Sequence, residues 1–148
     1  DEALLEGIGI DQASYDLMAD AAMEMSESED EASSNRALVR MVGYGVRSFR
    51  RNRRLRPHIP KIMRAAIALA RTFRANRRTR WAVQVIPLIV ARTMLRLSRV
   101  RRITNRTLVE AMAHETAWVL ANPARARAGM AAMRRRSRRG RRRRVRRR

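Results

Sequence analysis

The sequence contains no cysteine, so disulfides and thiolate metal sites are excluded and the redox compartment is left open. Histidine occurs only at His58 and His114, far apart in the chain, and beyond residue 31 the only carboxylates that could help them hold a metal are Glu110 and Glu115. No metal site is expected. His114 beside Glu115 reads as a helix-surface pair, because a catalytic base also needs an oriented nucleophile. Paired carboxylates for acid–base work are missing from residues 32–148. Gly43-Tyr44-Gly45 lacks the further glycines and the preceding strand of a phosphate loop, and is read as a close approach between helices. Aromatic residues are 4% of the chain, too few for a base-stacking platform, so Phe49, Phe73, Trp81 and Trp118 are assigned to the core. The longest uncharged, mostly apolar run, Trp81 to Ala91, falls short of the roughly 20 residues that cross a bilayer. The acidic start has neither the basic nor the apolar region of a secretory signal, and it begins at Asp1, as a fragment or processed product would. These absences point away from an enzyme and imply no cofactor; the compartment stays unknown.

What is present is arginine. The chain has 148 residues and a formal charge of +22, and its 35 basic residues are all arginine except Lys61. Eleven of the thirteen acids lie in residues 1–31; the remainder carries +33 against −11 for that first segment. Self-repulsion of this size must be relieved by counterions, by a polyanionic partner or by the acidic segment itself. The guanidinium fork suits phosphate and carboxylate better than an ammonium does. A GC-rich genome also favours arginine over lysine, but it does not account for the excess of positive charge.

The periodicity is helical throughout, with no period-two alternation, so the fold class is all-α: a small bundle of four or five amphipathic helices with an acidic N-terminal arm and a disordered arginine-rich tail. Tyr15, Met18, Ala19, Ala22 and Met25 give a short acidic helix over 11–25, and the serine-rich stretch 26–35 reads as a linker. Residues 1–35 are then arm and linker, 36–137 the helical domain, and 138–148 a poly-arginine tail. Leu38, Val39, Val42 and Val46 mark a helix from Arg36 to about Arg54. Ile59, Ile62, Met63, Ala66, Leu69, Ala70 and Phe73 form the clearest apolar stripe, with Lys61, Arg64 and Arg71 on its back. Pro87 opens a helix whose Arg92, Arg96 and Arg99 form a cationic ridge. Thr104 or Thr107 can cap a further helix, Thr107 with Glu110 having capping-box spacing, and that helix buries Leu108, Met112, Val119 and Leu120. A last helix starts after Asn122-Pro123 and runs to about Ser137.

These features give three functional expectations. The foremost is a non-enzymatic structural or packaging protein that holds nucleic acid or another polyanion without reading sequence. No zinc-finger spacing, RNA-recognition signature or helix-turn-helix is present. The expected contacts are Lys61, Arg64, Arg71, Arg92, Arg96 and Arg99 in the body, and Arg134, Arg135, Arg136, Arg138, Arg139, Arg141, Arg142, Arg143 and Arg144 in the tail. The second is a self-assembling filament or shell subunit, in which the acidic arm of one copy docks on the basic body of another. The third is a cationic protein whose segments 59–78 and 87–102 lie on an anionic membrane surface.

The order of parts also carries a resemblance. Met-Ala-Asp-Ala-Ala-Met-Glu-Met at 18–25, then arginine-rich apolar helices, then Thr-Leu-Val-Glu-Ala-Met-Ala-His-Glu-Thr-Ala-Trp-Val-Leu-Ala-Asn-Pro at 107–123 and an arginine tail, resembles a group of uncharacterised bacterial proteins. The acidic part here is much shorter than theirs. The resemblance implies a bacterial source and brings no activity with it.

Overall fold

In the computed structural model, which describes residues 7–133, two aspartates open the first two helices. Asp11 accepts a hydrogen bond from the Ser14 N–H at 3.2 Å to start α1 (Gln12–Glu27). Asp30 accepts from the Ser33 N–H at 2.8 Å to start α2 (Glu31–Phe49). Each satisfies a donor that the first helical turn leaves without a partner. The backbone bond from Ser33, helped by its hydroxyl, holds the Asp30 carboxyl below its ordinary value. A depressed carboxylate stabilises the fold above its unfolded-state value, so this cap is lost as pH falls through the lowered one.

Only Ser28–Asp30 separate α1 from α2, and the two form an antiparallel hairpin. Its open end is tied by the Asp11 N–H donating to the Ser48 carbonyl at 2.9 Å and by the Asn52 amide donating to the Ile8 carbonyl at 3.4 Å. Tyr15, Met18, Ala22 and Met25 are buried, and the Tyr15 ring meets Phe49 edge to face at 6.4 Å. The acidic segment is therefore part of the core. The stretch 26–35 is mostly helical, and the division placed between residues 35 and 36 falls inside α2. The acidic arm and linker need correcting for one reason: charge changes sign at residue 31 while the apolar stripe continues. Asp20, Glu24 and Glu27 point outward, so burying α1 costs no carboxylate desolvation at those positions.

The remaining helices are α3 (Ile59–Ala75), α4 (Ile86–Ser98), α5 (Asn105–Ala121) and α6, described over 123–133. Short 3-10 turns, Arg56–His58 and Arg80–Val85, lead into α3 and α4. The protein is all-helical, with no strand among the described residues. Six α-helices appear there where four or five were expected, because the acidic helix joins the body.

α4 lies at the centre: Ile86, Leu88, Ile89, Val90, Ala91, Met94 and Leu97 are all buried. The run Arg80–Ser98 has the length and mean hydropathy, 1.2, of a bilayer span, yet 67% of it is buried inside the protein. The stripe of α3 is buried against the same core through Ile62, Met63, Ala66 and Phe73. Spreading either segment on a membrane would require withdrawing these faces from the core. On α2 the stripe is rotated from the one expected. Val39 and Val46 face solvent, while Ser34, Ala37, Leu38, Met41, Gly45 and Ser48 face inward. Small side chains let α1 approach closely, and the Ser48 hydroxyl is satisfied by the Tyr44 carbonyl at 2.6 Å.

Only one of the two α2 glycines serves close packing. A Cβ at Gly45 would stand 2.7 Å from the Met63 sulfur and 3.1 Å from the Met18 methyl, whereas one at Gly43 meets nothing within 4 Å. Gly43→Ala is expected to stabilise the protein by about 0.5–1 kcal/mol through helix propensity. Gly45→Ala must displace a buried thioether and should be about 1–2 kcal/mol less stable than Gly43→Ala. Urea midpoints followed by circular dichroism test this; equal midpoints for the two variants would refute the packing role.

Candidate polyanion interface

The arginines divide into those that close helix ends and those left for solvent. The last carbonyls of a helix lack partners and carry partial negative charge. Arg74 donates to the Met25 carbonyl at the end of α1 at 2.7 Å. Arg56 donates to the Arg50 carbonyl after α2 at 2.8 Å, and Arg80 to the Arg74 carbonyl in the last turn of α3 at 3.3 Å. Arg54 reaches the end of α4, donating to the Ser98 carbonyl at 2.7 Å and to the Val100 carbonyl. Four helices thus end on a guanidinium.

The Arg54 contact also has a long-range result. It fastens the α2–α3 connection to the α4–α5 connection, and Lys61 contacts the Asn105 side chain beside them. α1 begins at the same end, through Asn52 and Ile8. Two arginine-rich loops, Arg50-Arg51-Asn52-Arg53-Arg54-Leu55-Arg56 and Arg99-Val100-Arg101-Arg102, are therefore brought to one end of the molecule, with Lys61 and Arg106 next to them. All of these cations are exposed. Among the described residues, the acids at that end are Asp11, 3.5 Å from Arg51, and Glu110, 2.9 Å from Arg106. Arg53, Arg99, Arg101 and Arg102 have no carboxylate within ion-pair distance among the described residues. Exposed Arg64 and Arg71 carry the positive surface from Lys61 along the outer side of α3. The opposite end is mixed: Glu27, Glu29, Asp30 and Glu31 at the tip of the hairpin share it with Arg74, Arg77, Arg78 and Arg80.

Of the body contacts expected from sequence, Lys61, Arg64, Arg71 and Arg99 are exposed and available. The ridge Arg92, Arg96 and Arg99 is not a ridge of free cations. Arg92 donates through Nε to Glu115 at 2.6 Å and stacks on Trp118, its guanidinium carbon 3.9 Å from the ring centroid. Arg96 donates to the other Glu115 oxygen at 3.2 Å. Glu115 is only 3% exposed, so the expected surface pair with His114 is replaced by a buried carboxylate bonded to two arginines of α4. The two tryptophans are half-buried, each covered by an arginine, since Arg127 lies 4.8 Å over Trp81. Phe49 and Phe73 are core residues, as expected.

Thr104, one of the two threonines expected to do so, caps α5; the capping box is completed by Thr107, and Glu110 pairs with Arg106 instead. A hollow of about 330 Å³ between α4 and α5 is lined by Arg96, Thr107, Glu110 and His114 among others. The Thr107 hydroxyl there is committed to the cap and Glu110 to Arg106, so no base faces an available nucleophile. The tail arginines, Arg134 to Arg144 as named above, lie outside the described residues.

Sequence reasoning missed the two arginine loops. The signal was present, because in a chain of helices folding back on one another alternate connections lie at the same end. The α2–α3 and α4–α5 connections are such a pair. No protein-family model, curated protein or solved structure matches this chain.

Proposed function

We propose that this is a non-enzymatic structural or packaging protein, a small helical bundle that binds nucleic acid or another polyanion without sequence specificity. The observation that carries this reading is the gathering of two arginine-rich loops, Lys61 and Arg106 at one end, with few acids to balance them among the described residues. Such a surface neutralises several backbone phosphates at once and releases their condensed counterions, while offering no shaped element to read base edges. Arg64 and Arg71 extend it, and the arginines from Arg134 onward raise the chain's positive charge further. The test is light scattering with absorbance at 260 and 280 nm, on protein purified with and without nuclease and across a salt series. Nucleic acid that travels with the protein and leaves on nuclease or salt treatment supports the reading. Protein free of nucleic acid, with no affinity for added duplex at low salt, would overturn it.

A second reading, self-assembly through acidic-to-basic contacts, is favoured by one feature. The acidic hairpin tip and the cationic end are separated by the length of α1, about 24 Å at 1.5 Å per residue. The tip is part of a packed hairpin and does not reach the cationic end of its own molecule. Any such pairing would join different copies head to tail. It predicts nuclease-resistant, salt-sensitive oligomers.

A further inference from the structure

Helix α5 buries Glu115 together with Leu108, Ala111, Met112 and Val119, while Val109 and Leu120 stand outside, 63% and 40% exposed. Ala113 and Ala117 are exposed between them, and the spacing of four, four and three puts all four residues on one stripe. The exposed Val39 and Val46 of α2 differ in standing among Arg36, Arg40 and Arg47.

We propose that this stripe is a self-association surface, and that its occupant is the same stripe of a second copy of the chain, packed antiparallel. Charge selects the occupant. Copies of a chain with net charge +22 repel one another, so a contact between like surfaces of two copies is least opposed where neither presents unbalanced charge. The outward side of α2 carries Arg36, Arg40 and Arg47, that of α3 Lys61, Arg64 and Arg71, and that of α1 Asp20, Glu24 and Glu27. On α5 the only charged outward residues are Arg106 and Glu110, which pair with each other at 2.9 Å. An anionic partner would be drawn to the other surfaces; a second copy is admitted here. Ala113 and Ala117 at the middle of the stripe leave room for helix axes to approach to about 8 Å.

The direction follows from the same electrostatics. A parallel pair would set Arg99, Arg101, Arg102 and Arg106 of one copy beside those of the other. The antiparallel two-fold pair sends the two cationic ends to opposite sides and opposes the helix dipoles. The dimer would then offer two polyanion-binding ends and could bridge two strands or two segments of one strand. This bridging rests on the polyanion reading, whereas the dimer itself does not. One helix face falls short of the roughly 800 Å² per partner of a standard interface, so the dimer should dissociate on dilution.

The test is sedimentation equilibrium of the full chain, freed of nucleic acid, in salt high enough to screen the arginines, at about 0.5 M or above. The expected mass at high concentration is twice the 17.1 kDa of one chain, and Ala113→Glu should return it to a single chain with unchanged helical circular dichroism. Because the chain has no cysteine, Ala113→Cys gives a second readout: a short thiol-specific cross-linker should join two chains, and should fail with Val39→Cys on α2. A monomer at every concentration would overturn the proposal. So would a dimer that survives Ala113→Glu, or cross-linking at position 39 and not at 113. Binding of duplex by Ala113→Glu is scored separately: retained affinity without bridging supports both readings, while absent binding by the wild type rejects only the polyanion one.

Discussion

Arg92→Met is expected to destabilise the protein by about 2–4 kcal/mol, the largest loss of any single arginine. Glu115 has 4% of its side chain exposed and accepts from Arg92 at 2.6 Å and from Arg96 at 3.2 Å. Methionine keeps much of the aliphatic stem but removes the better of the two donors and the guanidinium stacked on Trp118. A buried carboxylate is then left with a single, more distant partner. The figure is below that for a fully buried pair because the Arg92 side chain is 27% exposed and Arg96 remains. Arg96→Met removes the longer bond of a side chain that is 43% exposed, and should cost about 1 kcal/mol. In a chain of charge +22, losing a cation would by itself relieve repulsion, so destabilisation of this size identifies a specific contact. Urea unfolding of the three proteins measures it. If Arg92→Met and Arg96→Met shift the midpoint equally, Glu115 is not held in the way described.

The second large effect concerns binding. Arg53, Arg101 and Arg102 lie in the two loops joined by Arg54 and take no part in helix capping or ion pairing among the described residues. Replacing all three with glutamine should leave stability unchanged or slightly improved. The slope of log affinity for duplex against log salt should fall in magnitude by about 2.7, or roughly 0.9 for each phosphate that is no longer neutralised. The same three changes at Arg36, Arg40 and Arg47 on α2 should reduce it less. Fluorescence anisotropy with a duplex of arbitrary sequence, repeated over a salt series, gives both slopes. An unchanged slope for the loop variant, or an equal reduction for the α2 variant, would remove the cationic end from the proposed interface. Replacing Arg54 does not give this test, because its guanidinium closes α4 and its removal mixes stability with binding.

Much of the fold was legible in the sequence. The stripes of α1 and α3 recur at spacings of three and four, and the core residues Tyr15, Met18, Ile62, Met63, Ala66 and Phe73 lie where the spacing puts them. The stop at Asn122-Pro123 was legible too, since a proline ends a helix for local reasons. α2 was harder. It buries serine, alanine and glycine and exposes Val39 and Val46, and hydrophobicity alone does not report a face chosen for close approach. Asp30 hid the true start of α2 because an acidic, serine-rich stretch looks like a linker and also makes good N-caps.

The sequence by itself determined an all-helical chain, where most of its apolar stripes fall, and an excess of arginine whose charge counterions, a partner or the chain's own acids must balance. These are matters of periodicity and composition, and they need no partner in space. The tertiary structure decided which arginines are free. Arg54 reaches a carbonyl 44 residues away and Arg92 a carboxylate 23 residues away, so one closes a helix and the other neutralises a buried acid. It also decided that the acidic segment belongs to the core, that Glu115 points inward and that Val109 and Leu120 point out. A guanidinium has the same charge everywhere in the sequence; what it binds depends on which helix ends and carboxylates distant segments carry to it.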